Sequence, residues 1–173
     1  MLALLQTFQH RPRYVLSLLA QHFEVFLHRV KFRLQDALLQ PGDWVIIELG
    51  HNDNGPYDSG RARASIPGIG KDSLNVTIKE TGVKETVYTY GEYMRRFIND
   101  VKAKGAHPIL FSLTPRNAWE DKDSTIITRV NKTFGLWAKQ VAEEQNVPFI
   151  DLNDISARKF EKFGKNKVQY MFY

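Results

Sequence analysis

The 173-residue sequence contains no cysteine, which excludes a disulfide framework, a thiolate zinc site and a cysteine nucleophile. It holds no run approaching the ~20 apolar residues of a membrane-spanning helix. It also shows no internal repeat and no low-complexity segment. What is present is the composition of an ordinary folded domain, 43% hydrophobic and 25% charged, long enough for one sizeable core. The net charge of +5 is spread thinly: Arg11, Arg13, Arg29, Lys31 and Arg33 outweigh Glu24 and Asp36 in the first forty residues, and basic and acidic side chains intersperse thereafter. The one later surplus, Arg158, Lys159, Lys162, Lys165 and Lys167 against Glu161, reads as a solvated helix face. No aromatic-studded basic stripe accompanies it, so nucleic acid is not expected as a partner, and neither is a membrane. Residues 1–23 lack a small-residue cleavage site and fail as a secretory signal. A transit-like presequence is the targeting reading they leave open.

Residues 14–40 place Leu16, Leu19, Phe23, Phe26, Leu27, Val30 and Leu34 at helical spacing, and Pro41-Gly42 ends that pattern. Trp44–Leu49 then reads as a buried parallel strand. Residues 54–87 carry five glycines and read as one long loop, with a short strand near Thr86–Tyr90 within or after it. A helix is expected over 89–104, with Thr89 and Glu92 as a capping box and Gly105 as its stop. A second strand follows at Pro108–Leu113, a second helix at about Thr125–Gln145, a third strand at Val147–Leu152 and a last helix at Ile155–Phe163. Strands alternating with helices imply right-handed βαβ crossovers and a parallel sheet. Ligands of such sheets bind beyond the carboxyl ends of the strands, where Gly50–Asp53, Thr114–Trp119 and Asp151–Asp154 all fall.

The stretch Gly50-His51-Asn52-Asp53 has two readings. Asn52-Asp53-Asn54-Gly55 is a turn-forming run in its own right. Alternatively, an asparagine directly after a strand aims its amide at an oxygen that becomes negative during acyl transfer. Losing one such donor typically costs about 2.7–4 kcal/mol of transition-state stabilisation. Gly50 would then permit the tight turn, and Asp53 would cap it or fix a neighbouring donor. The acidic group Glu120, Asp121 and Asp123 is a weak metal candidate and, beside Lys122, is better read as an acidic turn leading a helix.

The run PGDWVIIELGHNDNG (41–55) resembles the Gly-x-Asn-Asp element of the GDSL or SGNH hydrolases, and within them most closely the rhamnogalacturonan acetylesterase family. The resemblance continues through GRARASIPGIG (60–70), YTYGEYMRRFINDVKAKGAHPILFSLTPRNAW (88–119) and VPFIDLNDIS (147–156). It implies an α/β fold, a three-layer αβα flavodoxin-like SGNH-hydrolase fold with a parallel sheet. It further implies deacetylation of acetylated pectic polysaccharide or oligosaccharide by serine acyl transfer, without a cofactor or metal. By the same resemblance Asn52 is the oxyanion-hole amide, and His51, Arg116, Asn117 and Trp119 line the substrate cleft. Relatives of this kind are secreted or periplasmic.

Three departures accompany the resemblance. The family's nucleophile lies in a Gly-Asp-Ser element, whereas the N-terminal serine here is Ser17, inside the helical-looking VLSLLA. A second oxyanion donor, a glycine, is due within about residues 15–25, and that window has none. The catalytic Asp and His belong to an Asp-x-x-His element expected about where VQYMFY stands. Substitutes are poor: His107 sits at the wrong end of a strand, Ser112 in a buried strand, and Ser59 and Ser65 in the glycine-rich loop with His51 as their nearest base. The expectation is thus a partial SGNH-hydrolase-like domain over 34–173 behind an unmatched helical segment, 1–33. It would be impaired in hydrolysis and would have exposed apolar sheet edges. A misread gene product and a non-catalytic carbohydrate-binding relic are the alternatives. Two sequons, Asn75-Val76-Thr77 and Asn131-Lys132-Thr133, are open to glycosylation only in a secreting, glycosylating host.

Overall fold

The computed structural model describes residues 39–60, 64–123 and 125–172, together with the backbone of residues 15–19. A four-stranded parallel sheet organises it, in the order β1 (Val15–Leu19), β2 (Trp44–Glu48), β5 (His107–Phe111), β6 (Phe149–Ile150). Val45 lies beside Pro108 and Ile47 beside Leu110, so the apolar positions of neighbouring strands share one face. On that face Val45, Ile47, Leu49, Leu110 and Leu113 are buried. Helix α1 (Tyr90–Ala103) covers them with Tyr90, Met94, Ile98 and Val101, and helix α2 (Phe134–Glu144) with Phe134, Ala138, Val141 and Ala142. The two helices pack on each other and on β5, as βαβ crossovers on one side of a sheet require. Helices α3 (Leu152–Phe163) and α4 (Lys165–Gln169) close the described chain. No helix among the described residues is long and apolar enough to cross a membrane.

Local chemistry explains the boundaries of α1. Thr89 is extended, and its Oγ1 accepts the Glu92 N–H at 3.1 Å, the N-cap arrangement. The Glu92 carboxylate does not complete the expected box; it turns to Arg96 at 3.1 Å and Arg95 at 3.5 Å. Gly105, at φ +71°, reverses the chain after the helix, and its carbonyl accepts the Gly42 N–H at 2.8 Å, which ties the entrances of β2 and β5 together.

Several sequence expectations are corrected. Residues 15–19, expected to be helical, form β1, paired parallel to β2 with Leu19 beside Glu48, so the edge of β2 expected to be bare is covered. Leu39 and Gln40, at the end of that expected helix, are irregular; the rest of it, and most of the 1–33 segment, lies outside the described residues. The loop of residues 54–87 contains an antiparallel hairpin, β3 (Ser73–Thr77) and β4 (Lys84–Tyr88). Strand β3 is solvent-facing along nearly its whole length; Leu74 and Val76 do alternate with Ser73, Asn75 and Thr77, but five residues amid the glycines of this segment are too short a signal to stand out. Helix α2 begins nine residues late. Ile127 and Val130 sit in an irregular segment because their N–H groups are taken by Glu161 Oε1 (2.9 Å) and Asn153 Oδ1 (3.1 Å). The acidic turn at 120–123 therefore leads no helix: Asp121 Oδ1 accepts the Asp123 N–H at 2.9 Å instead. Strand β6 is shorter than expected, since Asp151 caps a helix that starts at Leu152, three residues early.

Candidate functional site

The carboxyl ends of β2, β5 and β6 form one rim, and side chains lock their loops together. Gly50 leaves β2 at φ +126°, where a Cβ would come within 3.0 Å of Phe134 Cδ1 and 3.4 Å of Tyr90 Cε2. Only glycine suits both that backbone angle and that approach. Tyr90 donates its hydroxyl to the Leu49 carbonyl at 3.1 Å, and burial pushes its phenol well above the ordinary value, so it stays protonated. The turn closes with Asp53 N–H on the Gly50 carbonyl at 3.1 Å. The Asp53 carboxylate accepts the Ser65 hydroxyl at 2.6 Å, which draws the 64–66 segment onto the turn. Asn52, between these fixed points, is exposed, and among the described residues its side-chain amide has no hydrogen-bond partner. The amide is therefore available to an incoming oxygen.

Glu48 is the residue that sequence reasoning missed. It ends β2 with only 4% of its surface exposed, and its Oε1 accepts the Thr114 N–H at 2.7 Å. That bond ties the β2 and β5 loops across the rim. Its signal in the sequence is one acid interrupting the apolar run WVIIEL. His51 Nε2 lies 3.1 Å from Thr114 Oγ1 and 3.9 Å from Glu48 Oε1. Burial lowers the His51 pKa; Glu48 pulls it back up and Arg116 pushes it down, so the ring is neutral at pH 7. Arg116 is exposed, and its Nη2 donates to the His51 carbonyl at 2.7 Å. Asn117 Oδ1 accepts the Trp119 indole N–H at 2.9 Å. Around Trp119 the chain forms a small ladder: Thr128 N–H bonds the Ala118 carbonyl at 2.8 Å and Glu120 N–H the Ile126 carbonyl at 3.0 Å. The Lys165 ammonium lies 5.4 Å from the Trp119 ring centroid and donates to the Asp121 and Lys122 carbonyls.

A second network stands behind this loop. Asn153, 2% exposed, donates Nδ2 to the Leu113 carbonyl at 2.8 Å and accepts Val130 N–H, while its own N–H bonds Ser112 Oγ at 2.9 Å. Arg129 pairs with Glu161 at 2.6 Å and Asp154 at 3.2 Å, fastening the far side of the Trp119 ladder to α3. Ser112 donates to Asp151 Oδ1 at 2.7 Å, and His107 packs against Trp44 at the opposite end of β5. Among the described residues no serine bonds a histidine, and no three His, Asp or Glu side chains gather as metal ligands. The structure thus brings His51 and Arg116 into direct contact, with Asn52 adjacent and Asn117 and Trp119 on the loop that Arg116 anchors.

Such a rim, with a free amide donor, a cation and an indole beside a buried carboxylate, suits a polar ligand rich in oxygen. A model of the GDSL-like lipase/acylhydrolase family matches residues 13–170, a range that takes in β1. The rhamnogalacturonan acetylesterase of Emericella nidulans is 32% identical over 142 residues, covering 82% of this chain and 56% of that protein. The probable rhamnogalacturonan acetylesterase YesY of Bacillus subtilis is 30% identical over 142 residues, covering 81% of this chain and 54% of that one. The chain therefore spans little more than half the length of these relatives. The crystal structure of YxiM from Bacillus subtilis superposes with a TM-score of 0.56 at 25% identity, over 82% of this chain and 33% of that one. The parallel α/β architecture is accordingly the flavodoxin-like SGNH-hydrolase fold.

Proposed function

This chain belongs to the GDSL-like lipase/acylhydrolase family, and we propose that its rim is an acetyl-ester site for pectic sugars. Asn52 serves there as the oxyanion amide, and His51, Arg116, Asn117 and Trp119 are the sugar-facing residues. Support comes from relatives described as rhamnogalacturonan acetylesterases. The observation that carries the reading is the Asn52 amide itself: solvent-exposed and unpartnered, on a turn held rigid at both ends by Gly50 and Asp53. A preorganised donor of that kind needs no reorganisation when negative charge develops on an acyl oxygen. Arg116 supplies a cation for a uronate carboxylate, and the Trp119 ring supplies an apolar face for a pyranose.

Hydrolysis by these 173 residues is proposed to be impaired. Acyl transfer by the serine route needs a hydroxyl bonded to a base that a third group orients. Ser65 and Ser112 both donate to carboxylates instead, Asp53 and Asp151. Calorimetric titration with acetylated rhamnogalacturonan oligosaccharide tests the binding half of the proposal. Saturable heat is expected, with affinity lowered roughly tenfold or more in Trp119→Ala and Arg116→Ala. Equal affinity in both variants would remove these residues from the cleft.

A further inference from the structure

The function proposed above leaves open what His51 does, and the geometry at its ring answers it. Nε2 faces two oxygens: Thr114 Oγ1 at 3.1 Å and the Glu48 carboxylate at 3.9 Å. A ring nitrogen can present either a hydrogen or a lone pair to them. A lone pair there would face the negative charge of a carboxylate that is 4% exposed and already fixed by the Thr114 N–H at 2.7 Å. A hydrogen there is attracted by the same charge and has the hydroxyl oxygen as its acceptor. In a poorly hydrated setting this difference is not averaged away by solvent. The remaining nitrogen, Nδ1, has no hydrogen-bond partner among the described residues and is not buried.

We propose that Glu48 is a positioning residue that holds His51 in its neutral, Nε2-protonated tautomer, so that Nδ1 presents a hydrogen-bond acceptor to a sugar hydroxyl in the cleft. The charged neighbours divide the labour accordingly. Glu48 lies on the Nε2 side, and Arg116 reaches the His51 carbonyl rather than the ring. Burial keeps the imidazole uncharged, since its net shift is downward despite the carboxylate. An acceptor lone pair rejects a carboxylate, so His51 reads a hydroxyl-bearing position while the uronate charge falls to Arg116. This role rests on the sugar-binding reading of the rim, but the tautomer is a property of the free protein.

The test is imidazole long-range 1H–15N correlation spectroscopy on the full chain at pH 7, with His51 assigned by the loss of its signals in His51→Gln. The expected pattern is a protonated-type Nε2 and an unprotonated-type Nδ1. In Glu48→Gln, which can keep the Thr114 contact but removes the charge, the two nitrogen shifts should converge as the tautomers mix. An Nδ1-protonated or doubly protonated ring in the wild type would overturn the proposal. So would a Glu48→Gln spectrum identical to it. Should Glu48→Gln not fold, the wild-type spectrum alone decides. Acetylated rhamnogalacturonan oligosaccharide is then added to the wild type. Movement of Nδ1 with Nε2 unchanged supports the acceptor role, and binding without such movement refutes it. If nothing binds while the tautomer stands as expected, the sugar-binding reading has failed, the hydroxyl-acceptor role falls with it, and Glu48's control of the tautomer remains.

Discussion

Replacing Gly50 by alanine probes the geometry on which the Asn52 turn depends. The backbone at φ +126° is one that L-residues rarely adopt, a strain of about 1–3 kcal/mol. The added methyl would also stand 3.0 Å from Phe134 Cδ1 and 3.2 Å from its Cγ. Phe134 has little room to yield, because Tyr90 and Trp137 pack edge-on against it with centroids 5.2 and 5.0 Å away. Overpacking at such a site costs about 1–3 kcal/mol. The combined loss is about 2–6 kcal/mol, a large share of the ~5–15 kcal/mol that holds a domain together. Gly82→Ala is the control, for it too has positive φ (+68°) but open space around its Cβ. Strain alone applies there, about 1–2 kcal/mol. Urea denaturation followed by tryptophan fluorescence should show Gly50→Ala losing clearly more than Gly82→Ala. Its thermal midpoint should fall by roughly 5–20 °C. Equal losses would mean that Phe134 and Tyr90 do not hold the turn.

Asn153→Ala should cost about 2–5 kcal/mol in the same assay, since it strips the Val130 N–H and the Leu113 carbonyl of their partner at once. A loss below about 1 kcal/mol would show that water replaces the side chain there. Acid should loosen the α3 side of the fold. Arg129 holds the Glu161 carboxyl below its ordinary value of 4.5, so that contribution is complete above pH 4.5 and disappears as the pH falls through the lower folded value. Arg129→Met should flatten the fall of the thermal midpoint on acidification, and superimposable wild-type and variant curves would contradict this.

The elements legible in the sequence are those whose own side chains repay their formation. Helix α1 shows Tyr90, Met94, Ile98 and Val101 on one face and Thr89 at its start, while β2 and β5 stand out as apolar runs between turn signals. Strand β1 was hidden because Leu16 and Leu19 fit helical spacing equally well, and only pairing with β2 makes the segment extended. The late start of α2 was hidden for a different reason. Ile127 and Val130 keep the helical period, but their N–H groups are satisfied by Glu161 and Asn153, side chains more than twenty residues away. At the rim, the polar residues after each strand were visible as such. Glu48 and Asn153, which act from within, carry meaning only once Thr114, Leu113 and Val130 are placed beside them.

The proposal's two halves, a rim that receives the acetyl group and a chain that does not cleave it, meet in one observation. Rhamnogalacturonan oligosaccharide carrying 13C-labelled acetyl groups is followed by NMR as the chain is added. The acetyl resonances should shift or broaden saturably with the wild type and clearly less with Asn52→Ala, while no free acetate accumulates. Acetyl signals indifferent to the protein, or to Asn52, would contradict the site. Free acetate growing beyond one equivalent of protein would place a working nucleophile among these 173 residues.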